Sequence, residues 1–193
     1  MHRVGSDLVF SATDLASYAG CAQRTWLDRL KALGLDEPER FGPDLRLQLL
    51  QERGIEHERA YLERLEGEGK RVVRFGPIAN KEERSPEGYR RRAAETLAAM
   101  REGPDVIYQG TLYDGRWLGL VDFLIRVEEP SELGAWSYEV ADAKLAREAK
   151  ASAVLQACAY SEMLARVQGR EPERMHLWLG GPVPRKERRG PCT

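Results

Sequence analysis

Asp142 and Lys144 stand two residues apart in Tyr138-Glu139-Val140-Ala141-Asp142-Ala143-Lys144, a run that reads as a β-strand of small and apolar residues. Alternate strand side chains share a face, so the acid and the base point into the same space. A buried acid beside a buried base is costly unless it is paired, metal-bound or catalytic. The competing reading is an ion pair on a half-exposed edge strand, since a charged turn, Leu145 to Lys150, follows directly.

Asp122 raises the same question. It interrupts Trp117-Leu118-Gly119-Leu120-Val121-Asp122-Phe123-Leu124-Ile125, which is apolar on both strand faces. A lone buried carboxylate prefers to be neutral, so its presence asks for a cation. Backbone amides or an arginine would satisfy it equally. His57 falls on a stripe with Leu50, Gly54 and Tyr61, where a hydrogen-bonded core histidine is the plain alternative to a ligand. Its neighbours Glu56 and Glu58 are expected to face water. Gln156 and Tyr160, four residues apart, are neighbours on one helix face, and an amide and a phenol at a core edge would look the same. Taken together, two acids and a histidine offer ligands to one divalent ion. A lysine beside them can orient a water, and a metal-bound water is a nucleophile near neutral pH. Metal and lysine would both offset charge on a phosphoryl oxygen. Phosphodiester hydrolysis needs nothing more.

The elements that must hold these residues are marked by local chemistry. Ser11-Ala12-Thr13-Asp14 supplies helix caps before Leu15, Tyr18, Trp26, Leu27 and Leu30. Asp36 to Pro43 reads as a loop, and Asp44 to about Leu65 as a helix in which Gly54 needs a break or a close approach to explain it. A short strand over Arg71 to Phe75 precedes a polar loop over Ile78 to Ser85. A basic amphipathic helix over Pro86 to Arg101 follows. Two apolar runs, Val106 to Tyr113 and Arg116 to Val127, flank Asp114-Gly115 and predict a β-hairpin. After the Asp142 strand come a long helix over about Lys150 to Gln168, closed by Gly169, and a last strand over Met175 to Leu179. Helices, hairpin, strand, helix and strand in that order predict an α/β or α+β fold, a mixed central sheet flanked by helices.

A chain of 193 residues with 42% hydrophobic and 32% charged residues suits one soluble core. No apolar run approaches the roughly 20 residues that span a bilayer, and Met1 to Phe10 lacks a signal-peptide pattern, so no membrane partner and a cytoplasmic location are expected. A net charge of −1 excludes an architectural protein coated in positive charge, though not a local basic groove. Arg90-Arg91-Arg92, Lys150 and the Arg185 to Arg189 cluster are candidate phosphate contacts, or solvated surface. Trp117, Trp136 and Trp178 lie in or beside strands and read as core rather than stacking platforms. Cys21, Cys158 and Cys192 form neither a disulfide framework nor a zinc site.

The series Gly54-x-x-His57-Glu58, Gly119-x-x-Asp122, Asp142-x-Lys144 and Gln156-x-x-x-Tyr160 resembles the RecB-like branch of the PD-(D/E)XK nuclease superfamily, over about Ser11 to Gly180. That branch includes a CRISPR-associated nuclease and the nuclease domains of the RecB and AddB recombination proteins. The resemblance implies a restriction-endonuclease-like fold and metal-dependent hydrolysis of DNA, in repair or defence. It implies that His57, Asp122, Asp142 and the Ala143 carbonyl bind Mg²⁺ or Mn²⁺. Lys144 would position the attacking water, and Gln156 and Tyr160 would hold the DNA strand. Several relatives carry a 4Fe–4S cluster on one cysteine before the core and three after it. Here only Cys21 and Cys192 flank the core, and no cluster is expected. Relatives often continue into a ribonuclease H-like domain. Residues 1–180 therefore read as the nuclease domain of a longer protein, with a ribonuclease H-like or helicase partner domain absent from this chain. Residues 181–193 read as a disordered basic tail or truncated linker. The alternative from another class is a nucleic-acid-binding module, or an inactive fragment that needs the missing domain.

Overall fold

A computed structural model describes residues 1–4, 7–35, 45–80 and 82–180. The expected loop at Asp36 to Pro43, the Arg185 to Arg189 cluster, Cys192 and the 181–193 tail lie outside the described residues. The elements run β1 (His2–Val4), β2 (Asp7–Ser11), α1 (Ala12–Gly20), α2 (Ala22–Leu33), α3 (Leu45–Gly67), β3 (Val72–Arg74), α4 (Pro86–Glu102), β4 (Val106–Tyr113), β5 (Trp117–Val127), β6 (Ser137–Lys144), α5 (Ala151–Gln168) and β7 (Met175–Leu179). The chain is mixed α+β, an open mixed sheet flanked by helices, as expected.

Local chemistry explains the boundaries. Ser11 caps α1 in a reciprocal capping box with Asp14. Ser85 caps α4 with Pro86 in the first turn. The Asp114 carboxylate accepts the amides of Arg116 and Trp117, which closes the β4–β5 hairpin. Gly169 ends α5 in the left-handed region at φ 65°. Two strands were not foreseen: β1 and β2 precede the Ser11 cap, antiparallel to each other.

The sheet is built around β5. One edge of β5 carries β4 along its length, and β4 carries β3. The other edge forks. Parallel β2 takes Trp117 and Leu118, whereas antiparallel β6 takes Phe123 to Val127. Between them, Gly119 to Asp122 have no ladder partner on that edge among the described residues. Strand β7 lies parallel to β6 on its far side, so β6 is an interior strand. The reading of Asp142 and Lys144 as an edge-strand pair is corrected accordingly.

Helices cover both faces. Tyr160, Met163 and Leu164 of α5, with Ala12 of α1 and Met100 of α4, pack on Leu112, Val121, Leu124, Tyr138 and Val140. Leu62 and Leu65 of α3 pack on the opposite face, against Val106, Phe123 and Ala141. The fully buried Gln168 side chain accepts from the Tyr138 amide and donates to the Tyr138 carbonyl. This locks α5 in register with β6.

Helix α3 runs unbroken through Gly54, and nothing lies within 4 Å of where a Gly54 Cβ would stand. Neither expected reason for the glycine holds. Gly54→Ala is therefore expected to stabilise the fold by about 0.5–1 kcal/mol. Chemical denaturation checks this, and a loss of stability would mean that something does approach there.

Candidate active site

The site lies at the fork of β5. Asp122 stands where the β5–β6 ladder has ended, and its Oδ2 accepts the Ala143 amide at 3.0 Å in place of a ladder carbonyl. Opposite it, between the pairs Tyr108↔Phe123 and Gly110↔Val121, Gln109 adopts φ 59°, a rare conformation for a residue with a Cβ. Side-chain alternation slips here. Val121 and Leu124 both face the α5 side, and Phe123 faces α3. The slip leaves the Asp122 carboxylate within the sheet, exposed to groups from both layers.

From the α5 side come Asp142 and Lys144. Asp142 is 1% exposed, and the Lys144 Nζ lies 2.6 Å from its Oδ2. Lys144 is thus the partner of this buried oxygen. The Lys144 carbonyl is fixed in turn by the Gly180 amide at 2.7 Å. From the α3 side comes Glu58, which accepts from the Gln109 side-chain amide. Burial pushes the Asp122 carboxyl up to about 8, and the nearby Asp142 and Glu58 carboxylates add to the rise. The Ala143 amide and Lys144 only partly oppose it. Burial, with Glu58 beside it, likewise raises the Tyr108 phenol to about 12.

Gln156 and Tyr160 are neighbours as expected, the Gln156 amide donating to the phenol at 3.0 Å. Burial pushes the Tyr160 phenol to about 12, opposed by Gln156 and helped by the charges of Asp122 and Asp142. The phenol thus lies within electrostatic reach of both acids. Its ring rests on Gly119, where a Cβ would stand 3.2 Å from Tyr160 Cδ1 and from Met163 Sδ. Gly119→Val is expected to push Tyr160 away from the fork and to destabilise the fold by about 1–3 kcal/mol. Denaturant midpoints check this, and an unchanged midpoint would refute the close packing.

His57 is placed by α3 over β7. Its Nε2 lies 3.0 Å from the Trp178 carbonyl, which can only accept, so Nε2 carries a proton. The structure does not gather His57, Asp122 and Asp142 around one point. Among the described residues no three His, Cys, Asp or Glu side chains are arranged to hold a metal ion. The acids and Lys144 come together, and His57 is turned towards the neighbouring strand.

Two site residues were missed. Glu58 was expected in water, yet it lies on the stripe Glu58, Leu62 and Leu65, whose two leucines are buried. Gln109 was not singled out at all. Of the arginine cluster, Arg92 is engaged by the Gly76 carbonyl and Glu83, and Arg90 lies near Glu87. Trp178 stacks on Tyr61 at 4.5 Å under Arg64, a packed position as expected. No helix among the described residues is long and apolar enough to cross a membrane. No protein-family model, curated protein or solved structure matches the chain, so the site is interpreted from its own geometry.

Proposed function

We propose that this chain is a divalent-metal-dependent nuclease of the RecB-like PD-(D/E)XK type that hydrolyses phosphodiester bonds in DNA. One observation carries the reading. Two desolvated carboxylates face each other at a break in the sheet, with a third nearby and a single lysine to balance them. Asp122 keeps its proton up to about pH 8, and only a further cation would let both acids ionise at neutral pH, a need that a site built only to stabilise the fold does not have. Asp122, Asp142 and the Ala143 carbonyl would offer a cation oxygen donors alone, which suits Mg²⁺ or Mn²⁺.

Such a cation, when bound, lowers the pKa of its water and polarises a phosphoryl oxygen. Asp122 and Asp142 would hold it from adjacent strands. Lys144 donates to the attacking water or to the phosphate oxygen, within reach of Asp142. Tyr160 and Gln156 offer hydroxyl and amide donors to the substrate on the α5 side. His57 ties α3 to β7, which fixes the helix that delivers Glu58.

The test is incubation of the purified chain with single- and double-stranded DNA in Mg²⁺, Mn²⁺ or EDTA. The reading expects degradation with either metal and none in EDTA. Degradation that survives EDTA rules out the mechanism, and DNA that is bound but uncut favours a binding module.

A further inference from the structure

A cavity of about 470 Å³ opens between α1, α2 and the start of α5, outside the carboxylate cluster. Thr13, Ser17, Cys21, Arg24, Ser152 and Gln156 line it, with Ala16 and Gly20 adding no bulk. Its chemistry is the reverse of the fork's. It contains no carboxylate, three hydroxyls and one charged side chain, Arg24, which makes no hydrogen bond or ion pair among the described residues. Hydroxyl donors around a free guanidinium favour an oxyanion. The cavity also connects to the chemistry. Gln156 forms part of its wall and donates to Tyr160, whose phenol feels the charges of Asp122 and Asp142.

We propose that this cavity is a subsite for one nucleotide unit of a single DNA strand, flanking the scissile phosphate, with Arg24 taking its backbone phosphate. The inference rests on the nuclease reading and names the substrate class of that site. The size is that of a small-ligand pocket. It is an open groove between helices, with Thr13, Cys21, Arg24 and Ser152 exposed along it. Its walls show no aromatic ring for stacking, so the recognition is of backbone rather than of sequence.

The test is equilibrium binding of a fluorescein-labelled single-stranded oligonucleotide and of its duplex, in EDTA, across a salt series. Wild type is compared with Arg24→Ala, Arg24→Lys and, as control, Arg101→Ala, an exposed residue of α4 outside the cavity. Arg24→Ala is expected to weaken single-strand binding about 3–10-fold at low salt and to reduce the log–log salt slope by about 0.7, one phosphate contact on a single strand. Arg24→Lys should restore the slope, and the control should match wild type. An unchanged slope in Arg24→Ala, or a loss seen with duplex alone, overturns the subsite. If cleavage still needs Asp142 in that case, the nuclease reading stands without the subsite. If wild type neither binds nor cuts DNA, both are overturned.

Discussion

Asp122→Asn is expected to abolish metal-dependent cleavage and, at the same time, to stabilise the metal-free protein at alkaline pH. The sign follows from the direction of the shift. The Asp122 carboxyl titrates near 8 in the fold and near 4 when the chain is unfolded, because burial and two neighbouring carboxylates oppose its charge. Between those values the unfolded chain has lost its proton and the folded one still holds it. Stability is therefore greatest at low pH and falls as pH rises towards 8, by up to about 1.4 kcal/mol per pH unit. An asparagine cannot ionise, and its side-chain oxygen still accepts the Ala143 amide. Urea midpoints in EDTA at pH 5, 6.5 and 8 should fall for wild type and stay nearly level for the variant. Parallel curves for the two proteins would show that Asp122 is not the group under electrostatic stress. Cleavage by Asp122→Asn at wild-type rate would remove it from the catalytic centre.

Asp142→Ala and Lys144→Ala should separate the holding of a cation from the chemistry it serves. Both are expected to lower DNA cleavage at least about 100-fold, the order of loss when one preorganised charged group leaves a buried centre. They should differ in Mn²⁺ titrations followed by thermal unfolding. A ligand bound only by the native state raises the melting temperature by mass action. Lys144→Ala removes a cation that competes for the Asp142 oxygen at 2.6 Å, so its Mn²⁺-dependent rise should equal or exceed that of wild type. Asp142→Ala should lose most of it. Equal rises in all three proteins would place the metal elsewhere, and full activity in Lys144→Ala would deny the lysine any part in the reaction.

The parts of this fold that were legible in the sequence are those whose signals are local. The β4–β5 hairpin was readable because Asp114-Gly115 interrupts two apolar runs, and the structure uses Asp114 as the clasp. Helix α5 and strand β7 fell where period and punctuation put them. Strands β1 and β2 are short, and β2, which carries β1 on its edge, is held in the sheet by residues far along the chain, Phe10 beside Trp117. Pattern reading cannot see that. Within the site, Asp122, Asp142 and Lys144 were visible because charge is conspicuous in apolar strands. Glu58 was obscured by a phase error of one residue in a correctly periodic helix. The stripe through His57 and Tyr61 drew attention from the adjacent one through Leu62 and Leu65, which carries Glu58 onto the sheet. Gln109 gave no sign, because its left-handed backbone is imposed by the slip opposite Asp122 and not by its own type.

The fork of β5 joins segments that lie far apart in the chain. Strand β2 is separated from its partner residues Trp117 and Leu118 by α1 to α4. Joining such distant segments carries a loop-closure penalty that is overcome only when the interior between them is complete. Asp122 and Asp142 thus face each other only where the packing on both sides of the sheet holds β5 against β6. A partly unfolded chain has its acids apart and hydrated, so the proposed hydrolytic activity is expected of the native state alone.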